Sequence, residues 1–230
     1  MSRLILLRHG QSEWNEKNLF TGWMNAVLTA AGEREAVTAG RTLAGHGLLP
    51  AVAHTSLLRR TISTAFLLLA AMERDWIPVR RSWRLNGRHY GALQGMDKDQ
   101  AAREYGERQV LTWRRSFGTP PPPAPASMQD ELFSDPRYAT LPPDARPRAE
   151  SLRDVTVRLL PYWYDAIVPD LLAEGTVLVV SHANTLRALV KYLDGIPDEK
   201  IDDLEIPNGV PLVYQLDRDL RPLAGGRYLR

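Results

Sequence analysis

The sequence predicts an α/β fold, a mainly parallel β-sheet flanked by helices. Two apolar runs, Leu4 to Leu7 and Thr176 to Val180, carry this reading, because short runs without polar alternation suit strands buried on both faces. Between them apolar residues recur at helical spacing, and strands alternating with helices build a parallel sheet. Ala36, Val37, Gly40 and Leu43 mark one helix face, and Leu58, Ile62, Ala65, Phe66 and Leu69 mark a second. From Gly118 to Arg148 the chain carries the run Pro120 to Pro123 and then Pro125, Pro136, Pro142, Pro143 and Pro147. That density rules out regular helix or sheet there and predicts an excursion over the surface, anchored by Phe133 and Tyr138 and placed to form part of a lid. Ser151, with Asp154 three residues on, predicts a capping box opening a helix through Leu152, Val155, Leu159 and Leu160, which Pro161 must kink or interrupt. Leu186, Leu189, Val190 and Leu193 give a further helix after the second run.

At 230 residues, 44% apolar and 24% charged, the chain is expected to form one globular domain over residues 1–230. The formal charge is only +2, so no cationic surplus exists of the kind that blankets nucleic acid or anionic lipid, and neither is expected as a partner. Any anion is met locally. Twenty-five of the 29 basic residues are arginine, whose planar fork matches phosphate and carboxylate oxygens, although an arginine-rich coding bias explains the count equally well. The absence of cysteine excludes a disulfide scaffold, thiolate catalysis and Cys-based metal sites. No stretch approaches the ~20 apolar residues of a membrane span, and Met1 to Arg8 is too short for a signal peptide, so a soluble, cytoplasmic protein is expected.

Two of the five histidines occupy equivalent places. His9 follows the first apolar run and Arg8; His182 follows the second and Ser181. Ligands of open parallel sheets bind outside the carboxyl ends of the strands, so both imidazoles are expected to face one pocket. Neither has a second ligand at zinc-binding spacing, and Glu13, four residues past His9, falls in a predicted loop; no metal is implied. A G-x-S-x-G elbow, a P-loop and a G-x-G-x-x-G fingerprint are all absent from the sequence. What remains is histidine as nucleophile: a neutral imidazole attacks a phosphoryl group, whose roughly −1.5 to −2 charge then needs cationic forks such as Arg8 and Arg60.

Over nearly the full length these residues resemble the 2,3-bisphosphoglycerate-dependent phosphoglycerate mutases of the histidine phosphatase superfamily. The segment Leu7-Arg8-His9-Gly10-Gln11-Ser12-Glu13-Trp14-Asn15 carries the likeness on to Asn18 through Trp23, then through Thr55 to Arg60, Arg88-His89-Tyr90-Gly91, Trp113-Arg114-Arg115, the four prolines and Ile206-Pro207. The resemblance implies the histidine phosphatase fold and a glycolytic or gluconeogenic isomerase interconverting 3- and 2-phosphoglycerate. His9 would be the phosphorylated nucleophile, primed by 2,3-bisphosphoglycerate without a metal, with Arg8, Arg60 and His182 around the transferred group. It also implies that Ser12, Asn15, Thr21, Gly22, Arg88, Tyr90, Lys98, Arg114, Arg115 and Asn184 hold a small phosphorylated metabolite, and that the chain assembles as a homodimer or homotetramer.

Three positions depart from the family pattern. Gly87 stands where the family has its acid/base glutamate, which leaves Glu13 and His89 as the nearest substitutes in sequence. Ala183 replaces a glycine after His182, a strained position if that glycine has a positive φ. The segment ending at Tyr228-Leu229-Arg230 lacks the flexible acidic end the family carries over the ligand, favouring hydrolysis over transfer. Two alternatives therefore stand beside an impaired mutase: a phosphatase or phosphotransferase for another metabolite, and a non-catalytic phosphate-binding paralogue.

Overall fold

A computed structural model describes residues 1–229. Its elements run β1 (Ser2–Arg8), α1 (Glu13–Glu16), α2 (Ala30–Gly45), β2 (Val52–Thr55), α3 (Arg59–Ala71), β3 (Val79–Arg81), α4 (Lys98–Tyr105), α5 (Glu107–Arg115), α6 (Ala126–Phe133), α7 (Leu152–Tyr162), α8 (Val168–Glu174), β4 (Thr176–Ser181), α9 (Ala183–Asp194), β5 (Leu212–Leu216) and β6 (Arg227–Tyr228). The sheet order is β3-β2-β4-β1-β5-β6. β3, β2, β4 and β1 run parallel, and β5 and β6 add an antiparallel edge. The α/β reading holds, and the two apolar runs are the central neighbours β1 and β4.

Their alternation explains why both runs are apolar throughout. Leu4, Leu6, Val177 and Val179 pack on one face against α7, α9 and Trp163. Ile5, Leu7, Leu178 and Val180 pack on the other against Ala39 and Leu43 of α2 and Ala65, Leu68 and Leu69 of α3. Burying a side chain of this size stabilises by roughly 1.5–3 kcal/mol, so the central strands hold the two helical layers together. Phe66 is an exception to the predicted stripe: it is exposed, and Thr61 and Thr64 fill the buried face of α3 instead.

Register then sets the site. Arg8 pairs with Ser181, so the next residue on each strand, His9 and His182, leaves the sheet at the same level. Thr55 of β2 pairs with Val180, which brings Ser56 level with Ser181, one residue before His182. The turn after His9 lies on the first turn of α2, where a Cβ on Gly10 would meet the Gly32 carbonyl oxygen at 2.1 Å; only glycine admits that approach.

The capping box at Ser151 and Asp154 is present, with Ser151 Oγ accepting from the Asp154 amide. Pro161 does not interrupt the helix as expected: it lies inside α7, which runs on through it and widens into a π-turn at Trp163–Ile167. The proline-rich stretch is ordered differently from expectation. It contains the helix α6, because residues 126–133 hold no proline and include good helix formers, with Pro125 at the N-cap. Tyr138 is fully buried, its ring 5.2 Å from that of Trp23, and Phe133 packs beside both. The ends of the excursion are tied by the Ala124 amide donating to the Arg148 carbonyl, 2.8 Å. Among the described residues no helix is long and apolar enough to cross a membrane.

Candidate active site

His9 is buried at the end of β1. Its Nδ1 lies 2.7 Å from the Gly10 carbonyl, which only accepts, so Nδ1 carries the proton and the lone pair is left on Nε2. Arg60 Nε donates to that Nε2 at 3.3 Å, while its Nη1 and Nη2 are held by the Met24 and Gly22 carbonyls. Burial first, and then Arg60 and Arg8, hold the His9 imidazole well below its ordinary pKa and therefore neutral. Burial also draws Arg60 down to about 9. Arg8 donates to the Ile206 carbonyl and keeps its buried Nε unpartnered.

His182 caps α9, with its ring centroid 5.0 Å from that of His9. Its Nε2 is 2.9 Å from Ser56 Oγ, and Nδ1 is buried without a partner. Gly87 lies against it: a Cβ there would sit 3.3 Å from His182 Cγ, 3.5 Å from Nδ1 and 3.1 Å from the Gly22 carbonyl. Ala183 begins α9 and has no positive φ, so the strain expected there does not arise.

A cavity of about 720 Å³ opens over these groups. Beyond the two histidines its wall is cationic, formed by Arg88 from the loop after β3, Lys98 at the start of α4, Arg114 and Arg115 at the end of α5, and Arg187 of α9. Arg88 is 1% exposed and gives one bond, Nη2 to the Arg114 carbonyl, so its Nε and Nη1 are buried donors without acceptors. Leaving such donors unmet costs ~1–3 kcal/mol each, which an anionic ligand would recover. Tyr90 accepts from Asn184 Nδ2 and lies under the Arg88 guanidinium. Burial alone would raise its pKa, but Arg88, Asn184 and Arg114 outweigh that and bring the phenol down to about 8. Glu205 is the only carboxylate among the described residues of the wall, and it is exposed and paired with Arg115 at 2.6 Å.

The structure brings His9, His182, Arg8, Arg60, Asn15, Thr21, Gly22, Gly87, Arg88, Tyr90, Lys98, Arg114, Arg115 and Asn184 onto this one cavity. Ser12 is not on the wall: its hydroxyl caps α1 and is fully buried against Asn15. Glu13, expected in a loop, opens α1 and is exposed away from the cavity. His89 is buried behind the wall, accepts from the Gly91 amide, and is brought by burial to a pKa of about 4. Neither substitute for the missing glutamate therefore faces a ligand.

The sequence reading missed two groups. Ser56 and Thr61 form a hydroxyl pair behind His182; Ser56 lies in the Thr55 to Arg60 segment that carries the resemblance and Thr61 in the first turn of α3, but neither position signals the pairing. Arg158 spans from α7 to the Asn86 and Gly87 carbonyls and pairs with buried Glu150; no motif marks it.

An α/β sheet that brings two neutral imidazoles together with buried Arg60 and half-buried Arg8 at one cavity is suited to phosphoryl chemistry on a histidine. Comparison with known proteins gives the family. The sequence matches the histidine phosphatase superfamily (branch 1) over residues 4–133 and 124–221, and the chain belongs to that superfamily. It is 62% identical over 228 residues to a 2,3-bisphosphoglycerate-dependent phosphoglycerate mutase of Streptomyces griseus, covering 99% of this chain and 90% of the relative. A protein of the same description from Thermobifida fusca is 56% identical over 230 residues, covering 100% and 93%. Among solved structures, mycobacterial glucosyl-3-phosphoglycerate phosphatase with VO3 aligns with a TM-score of 0.73 at 25% identity, over 99% of this chain and 97% of that one. Bacillus stearothermophilus YhfR shares the fold at a TM-score of 0.73 and 21% identity, over 99% and 96%. The chain is a phosphoglycerate mutase-like enzyme.

Proposed function

We propose that the enzyme interconverts 3- and 2-phosphoglycerate through a phosphoryl group carried on His9 Nε2 and supplied first by 2,3-bisphosphoglycerate. The observation that carries this reading is the His9 geometry: Nδ1 is committed to the Gly10 carbonyl, and the Nε2 lone pair faces a cavity whose nearest cation is Arg60. The Nε2 lone pair attacks phosphorus, the P–O bond of the donor breaks, and Arg8 and Arg60 balance the charge on the transferred group. The distal cations Arg88, Lys98, Arg114, Arg115 and Arg187 suit the remaining carboxylate and phosphate, and the unmet donors of Arg88, Arg8 and Arg187 support a ligand with more than one anionic group. The cavity of about 720 Å³, with no side chain at Gly87 on its wall, supports a second reading, a phosphatase acting on a bulkier phosphorylated metabolite.

Incubation with labelled 2,3-bisphosphoglycerate is expected to give an acid-labile, alkali-stable phosphoryl group that is lost in His9→Ala. Absence of labelling with every phosphorylated donor tried would overturn both readings. The ratio of mutase to phosphatase turnover then distinguishes them.

A further inference from the structure

Phosphoryl transfer between oxygen atoms needs a group that takes a proton from the attacking hydroxyl and returns one to the leaving oxygen. No carboxylate of the described cavity wall is free for this, since Glu205 is exposed and held by Arg115. His182 has one ring nitrogen uncommitted.

The hydroxyls behind His182 decide which one carries the proton. Thr61 Oγ1 is 2.8 Å from the Leu58 carbonyl, Ser56 Oγ is 2.6 Å from Thr61 Oγ1, and His182 Nε2 is 2.9 Å from Ser56 Oγ. Each hydroxyl has one hydrogen, and the carbonyl at the end of the chain only accepts. All three contacts carry a proton in one arrangement only: Thr61 donates to Leu58, Ser56 donates to Thr61, and His182 Nε2–H donates to Ser56. The Leu58 amide also donates to Ser56 Oγ at 3.1 Å, which fits a serine whose own hydrogen goes to Thr61. The His182 lone pair is therefore on Nδ1, the buried, unpartnered atom beside the position where Gly87 offers no side chain.

We propose that His182 Nδ1 is the proton-transfer group of this enzyme, with Ser56 and Thr61 as positioning residues that fix its tautomer. This rests on the phospho-His9 reading. In the transfer step the acceptor hydroxyl oxygen bonds to phosphorus, the N–P bond to His9 Nε2 breaks with its electron pair returning to the imidazole, and the hydroxyl proton passes to Nδ1. The imidazolium so formed lies beside the new phosphate ester and balances its charge. In reverse, Nδ1–H protonates the leaving oxygen as His9 is rephosphorylated; in the first phosphorylation of the free enzyme, where Nδ1 starts bare, an acidic phosphate hydroxyl of the bound bisphosphate passes Nδ1 that proton. Burial and Arg60 keep His182 neutral until the anion arrives, which supports its starting as the base.

The test compares two donors. 2,3-Bisphosphoglycerate expels an alkoxide that needs a proton; p-nitrophenyl phosphate expels a stable phenolate that does not. His182→Gln is expected to slow His9 phosphorylation by the first about 100-fold and by the second less than about tenfold, whereas equal slowing of both would overturn the proposal. In the unaltered protein, 15N-resolved spectra of the histidine side chains are expected to show His182 protonated at Nε2 and bare at Nδ1, and to lose that preference in Ser56→Ala. A proton on Nδ1 in the free enzyme would overturn the proposal even where His182→Gln fails to fold. If no donor labels His9 in the unaltered protein, the phospho-His9 reading falls and this proposal with it, whereas unequal labelling and the Nε2–H tautomer stand together in its favour.

Discussion

Gly87 shows how one residue sets the chemistry of a site without contacting a ligand. The family resemblance implies a glutamate there, and the backbone around it leaves room for one: a Cβ would meet His182 Cγ at 3.3 Å and the Gly22 carbonyl at 3.1 Å, contacts relieved by shifts of a few tenths of an ångström. The backbone at 87 is fixed from behind, because Arg158 Nη2 donates to the Asn86 and Gly87 carbonyls and its charge is balanced by Glu150, 3% exposed. A side chain added at 87 would thus start beside the His182 ring and leave the loop in place. The substitution Gly87→Glu would supply a carboxylate where a weakly basic His182 now works alone. It is expected to raise mutase turnover at least about tenfold, less than the full ~10²–10⁴-fold of positioned proton transfer because His182 already supplies part of it, and to reduce the His182→Gln loss on alkyl phosphates. Both proteins would be measured in the same coupled assay, and equal turnover would show that proton transfer does not limit the natural enzyme.

Secondary elements carry the site by where they end. β1 and β4 were legible because both their faces are buried, which makes every residue apolar, and the histidines after them were legible because parallel register aligns their carboxyl ends. Arg60 and Asn184 follow from helices α3 and α9 beginning where strands stop. Ser56, Thr61, Arg158 and Glu150 were not legible, since their roles come from hydrogen bonds between elements distant in sequence and leave no periodic or spacing signal. The proline-rich stretch was legible as an excursion with Phe133 and Tyr138 as anchors, but proline density concealed α6, which fits between Pro125 and Pro136. Tyr138 ties this excursion to the site: its hydroxyl accepts from Asn86 Nδ2, and Asn86 Oδ1 accepts from the Leu57 amide. Replacing a large buried aromatic by alanine costs about 3–5 kcal/mol, so Tyr138→Ala is expected to lower the urea midpoint and to make residues 118–148 the first site of limited proteolysis. Cleavage there at the wild-type rate would mean that the anchor lies elsewhere.

Across the whole molecule, a formal charge of only +2 coexists with a wall of guanidiniums, because the acidic residues lie mostly outside the cavity. The arrangement makes protonation of the buried histidines unfavourable. Burial is the leading cause of a lowered pKa at His9, His54, His89 and His182, reinforced by Arg60 and Arg8 at His9 and by Arg60 at His182. His54 and His89 fall to about 4. In the unfolded chain a histidine titrates near ~6.5, so below that pH the unfolded state binds protons that the folded state refuses. Stability is therefore full above a pH of about 6.5 and lost as the pH falls toward 4, by up to about 1.4 kcal/mol per pH unit for each such histidine. Urea midpoints are expected to fall steeply between about pH 7 and pH 5, well above the range where carboxylates protonate. Inorganic phosphate should reverse part of this loss, because an anion between Arg8 and Arg60 binds the folded state alone and compensates a charged His9 or His182. In His9→Gln the slope over the same interval should flatten by about one histidine's share. A midpoint independent of pH over that interval would mean that the histidines accept protons in the folded state, and would remove the neutral His9 Nε2 on which phosphoryl transfer depends.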